Sequence, residues 1–200
     1  SGVCKEALKR ANMTIEDMDA IAVTYGAGLL GALIVGVNFA KGLAYSHHKP
    51  LIGVNHIEGH IAANYIAFKE LNPPFLCLIV SGGHTALVEI TESGDRKLIG
   101  TTTDDAVGEA FDKVARVLGL PYPGGPSVQA HAKNGKNNIE FIKLHKSNDF
   151  NFSYSGIKTA VVNYVHNIEQ RGEKVPVDDI CASFQKQAVE MLVTKTIMAA

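Results

Sequence analysis

The sequence predicts an α/β fold built in two parts. Three observations carry that expectation. Residues 20–71 alternate strand, helix, strand, helix, the order that lays down parallel strands. Asn72-Pro73-Pro74 then interrupts the pattern. Beyond it, short strand-like runs separated by tight turns read as antiparallel, and helices follow. The break divides the chain into residues 1–73 and 74–200.

In the first part, Cys4 to Asn12 has the spacing of a short helix, and Thr14 with Asp17 three residues on has the form of a cap opening another turn. Ala20 to Thr24 reads as a buried strand. The Gly26-Ala-Gly28 turn leads into an apolar helix from Leu29 to Tyr45, expected to be buried, with Gly28, Gly31 and Gly36 allowing close packing on a sheet. Pro50 to Val54 is a second buried strand, followed by a helix from His56 to Leu71. In the second part, Phe75 to Val80, Thr85 to Thr91 and Arg96 to Thr102 are three antiparallel strands, the first two joined by Ser81-Gly-Gly-His84. A helix is expected from Asp104 to Leu118. The rigid loop Pro121-Tyr-Pro-Gly-Gly-Pro126 feeds a short one. Ala132 to Asp149 is polar and reads as an exposed loop with a short strand. Phe150, Phe152 and Tyr154 alternate with polar residues like a strand edge. Gly156 to Gln170 and Val177 to Ala200 are helical.

Composition excludes several classes. Apolar residues make up 46% and charged residues 20%, as in a soluble globular chain, and the net charge of −1 gives no global field to draw in nucleic acid. Cys4, Cys77 and Cys181 are odd in number and far apart, which suits a reducing cytoplasm and argues against a disulfide framework or thiolate metal site. The longest apolar run, Ala27 to Ala40, falls short of the roughly 20 residues of a membrane span.

The sharpest chemical signal is His56 and His60, in Gly53-Val-Asn-His-Ile-Glu-Gly-His60. Four residues apart on a helix, they share one side and can reach one metal ion. The alternative is a pair of partly buried helix histidines bonded to backbone or water. Glu58 lies one place too late for the H-E-x-x-H pattern and roughly 200° around the helix from His56, so it is not placed as the base of a metalloprotease. Two ligands are too few, and a third must come from elsewhere.

Other segments are candidate cradles. The glycines of Ser81-Gly-Gly-His84 let backbone N–H groups converge on an anion or carbonyl, and Pro123-Gly-Gly-Pro126 before a helix start offers the same. A nucleophilic Ser81 is not expected, because the G-x-S-x-G elbow is absent. Asp105, Glu109, Asp112 and Arg116 recur along one side of a helix, either as a solvated face with an Asp112–Arg116 pair or with Asp112 in a cleft accepting hydrogen bonds from hydroxyls or an amine. Ser155-Gly-Ile-Lys-Thr159 lacks the spacing of a phosphate loop. Lys133, Lys136, Lys143 and Lys146, with His131 and His145, form the one basic stretch, read as a solvated loop or a phosphate contact.

Together Val54-Asn-His-Ile-Glu-Gly-His60, Leu78-Ile-Val-Ser-Gly-Gly-His-Thr85, Asp104-Asp-Ala-Val-Gly-Glu-Ala-Phe-Asp-Lys113, Tyr122-Pro-Gly-Gly-Pro126 and Phe152-Ser-Tyr-Ser-Gly-Ile-Lys-Thr159 resemble, in order, one family: the TsaD (YgjD) transferases of tRNA threonylcarbamoyladenosine synthesis, once labelled O-sialoglycoprotein endopeptidases. The resemblance implies an actin, heat-shock-seventy and sugar-kinase-like fold of two lobes on ribonuclease-H-like sheets. Residues 1–73 are then part of the first lobe, with the histidine helix, and 74–200 part of the second, which binds substrate and nucleotide. It implies transfer of threonylcarbamoyl from its adenylate to the adenine 3′ of the anticodon. It further implies one divalent metal, iron or zinc, on His56 and His60, and substrate contacts at Ile79, Val80, Ser81, Gly82, Gly83, Asp112 and Gly125. Expected partners are tRNA, an inactive paralogue and a small ATPase, in the cytoplasm and without a membrane. No residue of this chain is expected to act as a catalytic nucleophile.

The chain departs from the family pattern. Gly26-Ala27-Gly28 replaces Gly-Pro-Gly. A first phosphate-binding segment and a C-terminal segment carrying the third, aspartate ligand are not in the sequence. The expectation is a fragment lacking both ends, inactive alone and a weak metal binder. The competing readings are a non-catalytic paralogue or scaffold, which has no reason to keep the histidine pair, and a metalloprotease, which the position of Glu58 opposes.

Overall fold

The computed structural model of the chain describes residues 2–143 and 149–200. It divides into two compact units, Ser1–Leu71 and Asn72–Ala200.

The first unit is a two-stranded parallel sheet with helices. Helix α1 (Gly2–Ala11) carries Lys9 and Arg10 in its last turn, where they oppose the negative end of the helix dipole. Thr14 donates from both its backbone N and Oγ1 to Asp17 Oδ2 at 2.8 Å, which closes a turn and not a helix. Strand β1 (Ile21–Gly26) pairs in parallel with β2 (Leu51–Asn55), Ile21 opposite Leu51 and Thr24 opposite Val54. Helix α2 (Leu30–Ser46) makes the crossover, and α3 (His56–Ala67) follows β2 directly.

The expected burial of α2 does not hold. Only Ala40 and Ala44 are buried in it, while Leu30 and Val35 are each 72% exposed. Two strands are too narrow a sheet to cover an all-round apolar helix. Of the three glycines expected against the sheet, only Gly36 faces it, where an added Cβ would lie 4.0 Å from Val23. Helix α3 stops at Ala67, short of the expected Leu71.

The second unit holds the core. Strands β3 (Phe75–Val80), β4 (Thr85–Ile90) and β5 (Arg96–Thr101) form an antiparallel sheet in that order, with a bulge between Leu87 and Val88. Helices α4 (Val107–Val117), α5 (Gly124–Ala132), α6 (Ser155–Gln170) and α7 (Val177–Ala199) follow. Leu87, Val114, Ile157 and Phe184 are among the fully buried side chains of this core. At roughly 1.5–3 kcal/mol each, such burials are the main force holding the unit together.

Three expectations are corrected here. Helix α4 begins at Val107 and not Asp104, because Asp104 accepts from Tyr154 N and Asp105 from Lys158, both outside the helix. Phe152 and Tyr154 are fully buried anchors and not an exposed edge. An extended segment with alternate residues sunk in a core has the same sequence signature as an edge strand, and only the bridge from Thr102 to Phe152 is sheet-like. Residues 133–143 form no strand. They are stitched to α7 instead: Gln187 Oε1 accepts from Phe141 N and Ile142 N at 3.0 and 3.1 Å, and its Nε2 donates to Ile139 O at 2.8 Å. His145 and Lys146 of the basic stretch lie outside the described residues. Among the described residues, no helix is long and apolar enough to cross a membrane.

Candidate functional site

In the first unit, Asn55 ends β2 and caps α3. Its side-chain oxygen accepts from Ile57 N at 2.8 Å and Glu58 N at 3.4 Å, satisfying N–H groups that a helix start leaves without partners. The helix therefore begins at His56, and His60 follows one turn on. Their Nε2 atoms are 3.1 Å apart and the ring centroids 4.4 Å apart at 72°. Both rings are exposed, so neither is a buried histidine satisfied by the core.

The donor set fits a cation. Ligand bonds of about 2.0–2.1 Å from nitrogens this far apart meet at an angle of about 95–100°, within reach of tetrahedral or octahedral coordination. Among the described residues, no group of three or more His, Cys, Asp or Glu side chains is gathered to hold a metal. The thiols are poor candidates to join. Cys181 is fully buried, and burial together with nearby Asp178 pushes its thiol up to about 11.

In the second unit, the Ser81–His84 turn is held by Ser81 itself. Its backbone N donates to His84 O at 2.8 Å, and its Oγ accepts from His84 N at 3.0 Å and from Gly83 N at 3.4 Å. The hydroxyl is used up in shaping the turn, which agrees with a positioning role and not a nucleophilic one. Ile79 is buried at the end of β3, and Val80 is 47% exposed beside the turn. Gly82 and Gly83 are exposed, and an added Cβ on either would meet no protein atom within 4 Å.

The start of α4 is pressed against this turn. A Cβ on Gly108 would lie 2.7 Å from Gly82 Cα and from Ser81 O, so only glycine fits. Gly108 N donates to Ser81 O at 3.3 Å. Ala106, at the cap position, supplies no side-chain bond, and the buried Thr85 Oγ1 accepts from Val107 N at 2.9 Å in its place.

One turn along the same face comes Asp112. Its Oδ1 accepts from Gly124 N at 2.7 Å, so it caps α5 and does not pair with Arg116 as one reading of the sequence had it. A Cβ on Gly124 would lie 2.5 Å from Asp112 Cα, whereas Gly125 faces open space. Ser81, Gly82, Gly83, Asp112 and Gly125 thus line one strip along α4.

Several contacts that hold this strip join residues far apart in the sequence. Asp105 pairs with Lys113 at 2.6 Å and Lys158 at 2.7 Å, its side chain 13% exposed. The bonds from Lys113 and then Lys158 hold its carboxyl below the usual range against the opposing effect of burial. For Asp104, burial pushes the carboxyl up. Bonds from Ser153, Tyr154 N and both groups of Ser155 outweigh it and leave the carboxyl lowered. Ser155-Gly-Ile-Lys-Thr159 is therefore a counter-ion segment for the entry to α4. The signal was there in Lys158, but its partner is 53 residues away.

Comparison with known proteins places the sequence in a family. The family described as TsaD, tRNA N6-adenosine threonylcarbamoyltransferase, matches residues 1–200. A Clostridium botulinum (strain Hall) protein described as tRNA N6-adenosine threonylcarbamoyltransferase is 56% identical over 203 residues, covering 100% of this chain and 59% of that protein. Proteins of the same description from Clostridium perfringens (strain SM101) and Clostridium novyi (strain NT) are 55% and 54% identical, each with 98% of this chain and 59% of its own length covered. The chain thus spans about 59% of the length of these relatives. With a family match over every residue and relatives at this identity, the chain belongs to the TsaD family of tRNA N6-adenosine threonylcarbamoyltransferases.

Proposed function

We propose that this chain forms part of an enzyme that transfers threonylcarbamoyl from its adenylate to the N6 amine of the adenine 3′ of the anticodon in tRNA. The observation that carries the reading is the convergent pair His56 and His60, Nε2 to Nε2 at 3.1 Å on an exposed helix start. We assign the units as parts of the two lobes of an actin-like fold, the first bearing metal and the second bearing nucleotide. The metal is one divalent cation, iron or zinc. The partners are tRNA, an inactive paralogue and a small ATPase, and the compartment is the cytoplasm.

The reaction requires the amine to attack the carbamoyl carbonyl carbon. The C–O bond to phosphate breaks, AMP departs and the amine loses a proton. His56 and His60 would hold a cation, which when bound would supply Lewis-acid polarisation of a substrate oxygen. The Ser81–Gly83 turn, continuing from Ile79 and Val80, spends the Ser81 and Gly83 N–H groups on its own closure and offers the Gly82 N–H to the acyl phosphate, and its glycines leave room for that approach. Asp112 keeps Oδ2 for a nucleoside hydroxyl while Oδ1 fixes α5, and Gly125 leaves the start of α5 open. Orientation supplies much of the rate in such a displacement, so no protein nucleophile is needed.

The test uses the full-length protein with its partners and unmodified tRNA. His56→Ala and His60→Ala should each abolish threonylcarbamoyladenosine formation and lower bound metal, measured by nucleoside mass spectrometry and elemental analysis. Unchanged modification by either variant overturns the assignment.

A further inference from the structure

We propose that Tyr122 and Arg116 hold a purine base, making the groove beside Asp112 a nucleoside subsite with a stacking platform. The proposal rests on the nucleotide-binding reading of Asp112 and extends it to two residues without an assigned role. The groove, about 350 Å³, is lined by Glu109, Asp112, Arg116, Tyr122 and Gly124 among others. That volume falls in the range of small-molecule sites.

The charges of the groove are not equally free. Glu109 and Lys113 neutralise each other at 2.7 Å, and Lys113 also serves Asp105. Among the described residues, the Arg116 guanidinium makes no ion pair or hydrogen bond, although it stands one helical turn beyond Asp112 on the same face. Asp112 spends one oxygen on Gly124 N. One guanidinium and one carboxylate oxygen are thus left over in the same groove.

Tyr122 is the second observation. Its ring is 83% exposed, whereas Tyr154 is fully buried in the core, so burial on folding does not explain it. The main chain that carries it is nevertheless anchored. Pro121 and Pro123 flank it, Ser127 Oγ donates to Pro121 O at 2.7 Å, and Leu120 N donates to Ala115 O at 2.8 Å. An exposed aromatic on an anchored loop, lining the same groove as a planar cation, is a way of binding the face of a base without reading its edge. Asp112 Oδ2 is then the acceptor for a ribose hydroxyl, and it sets the polarity of the bound nucleoside.

The base belongs either to the adenylate or to the RNA, and the experiment separates them. AMP and a 17-nucleotide RNA hairpin of anticodon stem-loop design (a probe length on the order of that in single-strand and loop recognition) are titrated into the full-length protein by calorimetry. Tyr122→Ala should weaken AMP roughly tenfold or more, Tyr122→Phe should retain wild-type affinity, and Arg116→Ala should weaken it several-fold. Weakening confined to the RNA assigns the base to tRNA. Wild-type affinity of Tyr122→Ala for both probes overturns the proposal. If Asp112→Asn still weakens AMP in that case, the nucleotide reading of Asp112 survives. If the wild-type protein binds neither probe, both fail. Melting temperatures matching wild type exclude misfolding as the cause.

Discussion

Replacing Thr85 by Val tests how the candidate strip along α4 is held in place. The swap keeps the shape of the side chain and removes one oxygen. That oxygen accepts from Val107 N at 2.9 Å, with Thr85 at 1% and Val107 at 3% exposure. Water therefore cannot take over, and the Val107 N–H loses its partner inside the core. Such an orphaned group costs about 1–3 kcal/mol, and losing a helix cap costs a similar amount. Taking about 2 kcal/mol and about 3–5 °C per kcal/mol for a unit of this size, the melting temperature should fall by about 6–10 °C. Thr85→Ser keeps the oxygen and should lose much less. Circular dichroism melts measure the difference, and amide exchange by NMR should show faster exchange at Val107 in the valine variant. If the valine and serine variants melt together, or if Val107 exchange is unchanged, the capping argument is wrong.

Other perturbations probe separate links. Gly124→Ala forces a Cβ to within 2.5 Å of Asp112 Cα, a backbone contact that cannot yield, so α5 must shift at a cost of about 1–3 kcal/mol or more, readable as a lower urea midpoint. His60→Ala in the full-length protein should leave stability nearly unchanged without metal, since the ring is exposed, but abolish the increase in melting temperature on adding zinc. The Asp105 carboxyl lies below its unfolded value of about 3.9, so its stabilisation is present above about pH 4 and is lost as pH falls through the lower folded value. Asp105→Asn should therefore destabilise at neutral pH and flatten the pH dependence of the urea midpoint below about pH 4.

The sequence was legible where a signal is local. The strand–helix–strand–helix order, the hairpin at Ser81–His84 and the one-turn spacing of His56 and His60 are all written within a few residues, and the structure reproduces them. What failed needed a distant partner. Nothing near Asp104 says that Ser153 and Ser155 will claim it, so the helix pattern was extended through it. Nothing near Thr85 says that it caps a helix beginning 22 residues later. The apolarity of α2 read as burial, but burial also requires enough sheet to cover it, and a helix's own periodicity does not report the width of its neighbour.

Seven glycines of the second unit sort into two kinds. Gly100, Gly108, Gly124 and Gly135 each press on another stretch of main chain, and none has room for a methyl group. Gly82, Gly83 and Gly125 look outward onto nothing, so alanine there meets no protein atom and should leave the melting behaviour untouched. Harm to turnover from those three would then register the bulk of whatever molecule visits the strip. Three single-methyl substitutions could in this way outline the footprint of the visitor before any complex is imaged.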